Sequence, residues 1–254
     1  MAKDKVAKDK EDDDDLLDDP EQAELWKTLQ NLEEIAEEDP AQALAVFAAL
    51  PSEVREIADF QLVHAGLLRS SGDLPAAERV LQALIALDHE DADAHHMLGD
   101  VLEDMGKLER ALDHFLETLR LDSQASAEHS AEEVEGVLDA TLEHLERTVK
   151  ELPAEWRARL EGVPLLVQRL PSEDMVRAGL DPRALGLFDG PMHAEAEGID
   201  CAPAPTRIVL FAENLALDFP DADEFKDQVR ITVLHELGHY FGLDEDDMER
   251  LGLD

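Results

Sequence analysis

From Glu21 to about Asp122, apolar residues recur at helical spacing, broken only by short turns that carry Gly, Pro or Asp. This pattern predicts a run of helices over 21–125. Beyond it the pattern changes. A helix is expected over 131–150, opened by Ser130 and Glu133 at capping-box spacing. Leu152-Pro153 ends it, and a shorter helix follows to about Leu160. Val163 to Leu170 and Arg207 to Ala212 read as strands separated by a Gly- and Pro-bearing region. A last long helix should run from about Asp221 to Phe241. The expected class is α+β overall, with an all-α N-terminal part and a small α/β C-terminal part. The polar, small-residue stretch Asp122 to Ser130 reads as a connection, with 126–130 as the linker and 131–254 as the second domain. Residues 1–20, with four lysines and an acidic block, read as a charged tail.

The helical part repeats with a period of 34 residues. Gly72-Asp73-Leu74 is matched by Gly106-Lys107-Leu108, Ala77 by Ala111, Leu81 by Phe115, and Leu87-Asp88 by Leu121-Asp122. One further period back lie Ala43 and Phe47, in a looser copy bounded by Pro40 and Pro51. A small residue lets the two helices of a hairpin approach, glycine turns the chain, and a large apolar residue fills the seam to the next hairpin. On these residues, and on Leu98-Gly99 in a first-helix position, the segment resembles the tetratricopeptide repeat family. The resemblance implies an α-solenoid whose concave face takes a peptide or partner protein.

Composition narrows the function classes. The chain has 254 residues, 44% of them hydrophobic, so a packed core is within reach. With 22 Lys and Arg against 62 Asp and Glu, the formal net charge is −40. Such a surface repels phosphate backbones and anionic headgroups, so neither nucleic acid nor membrane is expected as a partner. The single cysteine, Cys201, cannot form an intramolecular disulfide. No apolar h-region follows the first lysines, and no run of about eighteen apolar residues occurs. A cytoplasmic location is the expectation.

The chemistry concentrates in Thr232-Val-Leu-His-Glu-Leu-Gly-His-Tyr-Phe-Gly-Leu-Asp244. On a helix, His235 and His239 project about 40° apart and one turn along, so both imidazoles can reach one zinc ion. Glu236 lies at about 100°, where it can miss the metal and still reach a bound water. Val233, Leu234, Leu237, Tyr240 and Phe241 form the opposite, apolar face. Gly242 can turn through the left-handed region at the helix end. Asp244 then offers a third ligand. Alternatively it caps a short helix over 245–251, with Glu245, Asp246 and Asp247 as other acids within reach. Three protein ligands leave a fourth position for water, the layout of a catalytic rather than structural zinc site. Manganese, iron and cobalt remain open, though nitrogen-rich tetrahedral sites favour zinc.

Together with Gly186-Leu-Phe-Asp-Gly-Pro191, Arg207-Ile-Val-Leu-Phe211 and Glu249-Arg-Leu-Gly252, this motif makes the chain from about residue 131 resemble the minimal zincin-like metallopeptidase domain found in bacteria. The resemblance implies a compact α/β zincin fold with a short substrate-lining strand. It also implies zinc held by His235, His239 and Asp244, Glu236 as general base, and a peptide or protein substrate. The competing reading is a non-catalytic adaptor whose zincin-like domain binds metal for stability.

Other residues carry weaker signals. Tyr240 falls on the apolar face, which favours packing over an oxyanion role. Met248 fits helix packing better than a turn beneath the metal. Cys201 and His193 share a loop that could face the metal or substrate. The Arg207–Phe211 strand could add an extended peptide or lie inside the sheet. His95 and His96 are adjacent and point about 100° apart, and His64, His89, His114, His129 and His144 lack ligand spacing.

Overall fold

The computed structural model describes residues 20–190, 207–243 and Met248. The chain divides into two compact units, residues 1–118 and 119–254, and each is described by itself.

The first unit is helical throughout its described residues: α1 (Pro20–Glu38), α2 (Pro40–Ala49), α3 (Ser52–Arg55), α4 (Ala58–Ser70), α5 (Leu74–Leu87), α6 (Ala92–Asp104) and the beginning of α7 (Leu108–Ser126). Asp39 caps α2 by accepting hydrogen bonds from the Ala41 and Gln42 amides, and Pro40 supplies a first helical position that needs no donor. The 34-residue offset has a physical counterpart. Gly72 and Gly106 both adopt positive φ, 83° and 72°, at the turns that follow α4 and α6. Ala77 and Ala111 are both buried, as are Ala43 and Phe47 one period earlier. Gly99 meets the Phe115 ring, where a Cβ would stand 2.5 Å from a ring carbon, so only glycine permits that approach. His95 and His114, on different helices, bring their Nδ1 atoms to 3.0 Å. Sequence spacing alone gave no hint of that pair.

The second unit contains the remainder of α7, then α8 (Ala131–Glu151), α9 (Ala154–Arg159), β1 (Leu165–Gln168), α10 (Glu173–Arg177), β2 (Gly186–Asp189), β3 (Arg207–Phe211), α11 (Ala212–Asp218) and α12 (Ala222–Phe241). The capping box forms at Ser130 and Glu133. Helix α7 runs one turn beyond the hydrophobic pattern, to Ser126, because its polar end is held: Asp122 receives a bidentate contact from Arg183, and Ser126 binds Arg169 and Glu213. The sheet order is β1-β3-β2, with β1 parallel and β2 antiparallel to β3. As the central strand, β3 has no free edge for an added peptide. Its residues Ile208 to Phe211 are fully buried, which explains the uninterrupted apolar run. The core joins Leu145 of α8, Ile208 and Leu210 of β3, Leu215 of α11, and Val229, Val233, Leu237 and Tyr240 of α12. No helix among the described residues is long and apolar enough to cross a membrane.

Candidate metal centre

Helix α12 positions the site. Asp221 caps its start by accepting from the Asp223 and Glu224 amides, and its apolar face enters the core as the helical wheel requires. Gly242 ends it at φ 83°, with the Gly242 and Leu243 amides donating to the His239 and Gly238 carbonyls. Tyr240 lies in the core, and its hydroxyl donates to the Arg159 carbonyl at 2.9 Å. Burial pushes its phenol pKa up, with Arg159 opposing, so the group stays protonated. This is a packing residue.

On the opposite side, His235 and His239 are half-buried, and their Nε2 atoms lie 3.1 Å apart, the rings nearly perpendicular at 83°. Two ligands about 2.0–2.1 Å from one tetrahedral zinc ion would be about 3.3 Å apart. The donor set therefore fits a single small cation. The same separation also allows one ring to donate an N–H to the other when the chain is metal-free.

Glu236 is buried, only 7% exposed, under the first residue of β2. A Cβ on Gly186 would stand 3.0 Å from Glu236 Cγ and Oε1 and 2.8 Å from Thr232 Cγ2. Glycine is thus what lets β2 close over the carboxylate. Two cavities meet there. One of about 420 Å³ is lined by Gly186, Leu187, Phe188, Glu236, His239 and Leu243. The other, about 210 Å³, is lined by Leu185, Gly186, Gln228, Ile231, Thr232, His235 and Glu236. Strand β2 carries little signal in the sequence, because it is only four residues long and starts with glycine.

Met248 is fully buried against α12, its Sδ 2.6 Å from where a Gly238 Cβ would be. It packs on the helix, on the backbone between the two histidines. Asp244, its neighbours Glu245, Asp246 and Asp247, and also Cys201 and His193, lie outside the described residues.

Residues 160–253 match the family model of the zincin-like metallopeptidases. The zincin-like segment includes His235, Glu236, His239 and the position of Asp244, together with β1, β2, β3 and α12. No curated protein matches the chain. The match connects the paired imidazoles and the buried carboxylate to a family that is named for metal-dependent peptide hydrolysis.

Proposed function

We propose that the chain is a zinc-dependent peptidase in which His235, His239 and Asp244 hold the metal and Glu236 is the general base. One observation carries the reading: two Nε2 atoms 3.1 Å apart beside a buried carboxylate, on a helix of the zincin-like segment. Zinc, when bound, supplies a Lewis acid for the scissile carbonyl and makes a nearby water easier to deprotonate. Glu236 accepts the proton of the attacking water and delivers it to the leaving amine. Gly186 and the α12 backbone hold that carboxylate at one depth, so little reorientation precedes proton transfer. His235 and His239 ligate only as neutral imidazoles, so metal affinity falls as acid protonates them.

The helical segment 21–125 serves as a tetratricopeptide-like solenoid that recruits a protein partner or substrate, joined through 126–130 to the zincin-like domain 131–254. Support comes from the two left-handed glycines and the buried alanines that recur 34 residues apart. The protein works in the cytoplasm.

Glu236→Gln tests the enzyme reading. The substitution keeps the side chain's shape and removes its basicity, so zinc should stay bound while proteolysis falls about 10²- to 10⁴-fold. A zinc-loaded wild-type chain that cleaves nothing in a broad peptide mixture would instead make it a metal-stabilised adaptor.

A further inference from the structure

We propose that this site cleaves bonds flanked on both sides by apolar side chains, a larger one on the His239 side and a smaller aliphatic one on the His235 side. The inference rests on the peptidase reading above and adds its substrate class.

Gly186 and Glu236 belong to both cavities, whereas His239 lines only the wider one and His235 only the narrower one. The proton-accepting carboxylate therefore stands at the partition. A peptide bond attacked at that point has its two neighbouring side chains on either side of the partition, one per cavity. A Cβ on Gly186 would stand 2.8–3.0 Å from Thr232 and Glu236, so the close contact of this glycine with α12 is what divides the two cavities.

The walls set what enters. Leu187, Phe188 and Leu243 line the wider cavity, and Leu185, Ile231, Thr232 and the uncharged amide of Gln228 the narrower one. Among the described lining residues, Glu236 is the one carboxylate and none is Lys or Arg. An acidic substrate side chain would give up its hydration against walls made mostly of Leu, Ile and Phe, at a steep cost. A basic one would pair with Glu236 and occupy the group that must accept the proton. Apolar side chains instead exchange water for Leu, Ile and Phe contacts. The volumes differ twofold, about 420 against 210 Å³. The larger of the two flanking side chains therefore belongs on the His239 side and the smaller on the His235 side.

The test incubates the zinc-loaded full chain with a mixture of unstructured peptides and reads the cleaved bonds by mass spectrometry, with zinc content measured on the same sample. Leu, Met or Phe on one side of the bond and Ala or Val on the other should be cleaved at least about 10-fold faster than bonds bearing a charged residue at either place. Ile231→Phe, which fills the narrower cavity, should shift the small-residue flank alone towards Gly and Ala, again by about 10-fold. Preferred cleavage beside charged residues, indifference to both flanks, or an Ile231→Phe change that moves the large-residue flank overturns the proposal and leaves the peptidase reading intact. No cleavage at all by zinc-bearing protein removes the peptidase reading, and this specificity falls with it.

Discussion

Gly186 stands so close to Glu236 that a Cβ on the glycine would lie 3.0 Å from both Cγ and Oε1 of the glutamate. The strand carrying Gly186 also lines both cavities, so its distance from α12 sets the position of the carboxylate and the width of the cleft. Gly186→Ala should push these elements apart. The expected result is a stability loss of about 1–3 kcal/mol and a fall of about 10- to 100-fold in kcat, larger than any rise in KM. Zinc content should stay unchanged, because the atoms nearest the added methyl belong to Thr232 and Glu236 and not to either imidazole. Steady-state kinetics with metal analysis checks this. An unchanged kcat would mean the carboxylate does not depend on that contact.

Tyr240→Phe removes the hydroxyl that donates to the Arg159 carbonyl. Thermal or chemical unfolding should show a loss of about 0.5–1.5 kcal/mol. Proteolysis measured well below the melting temperature should match the wild type, since the phenol packs into the core away from the imidazoles. A drop of 100-fold in kcat without unfolding would reassign Tyr240 to the reaction.

Much of the helical architecture was legible because local rules and tertiary packing agree. The Ser130–Glu133 capping box, the start of α12 near Asp221, the left-handed Gly242 and the apolar face of α12 all formed where the residues indicated. The positive-φ glycines 34 residues apart belong to the same category. Illegible features were those made by distant partners. Strand β2 exists through its antiparallel pairing with β3, and nothing in four residues starting with glycine announces a strand. The end of α7 is stabilised by Arg183 and Arg169, which no helical pattern contains. Likewise, the approach of His95 to His114 and the cover of Gly186 over Glu236 are contacts between elements. Sequence spacing showed which side chains share α12, and the fold supplied the wall facing them.

Acid should weaken the fold before most carboxylates titrate. Burial first, then Arg55, holds the His64 pKa below its usual value, and burial lowers that of His114, with His95 and Arg110 adding. For His144 burial again comes first, with Arg147 and Lys226 adding to it and Glu143 opposing. The Nδ1 atoms of His64 and His144 are buried without a hydrogen-bond partner. These groups are protonated more readily in the unfolded chain, whose histidines titrate near pH 6.5. Their contribution is therefore complete above about pH 6.5 and is lost as pH falls through the lower folded values. The melting temperature should drop between about pH 7 and 5, and His64→Phe or His144→Phe should flatten part of that drop. A flat profile in the wild type would contradict the assignment of these half-buried rings as neutral groups.

The account stands most directly on metal content. Full-length chain expressed with ample zinc and freed of loose metal should carry about one equivalent, and His235→Ala or His239→Ala should each reduce it to less than about a tenth. Element analysis of the three purified proteins, each checked for folding by circular dichroism, gives the answer. Wild-type protein with less than about half an equivalent, or folded histidine variants that keep their zinc, would contradict a metal held between His235 and His239.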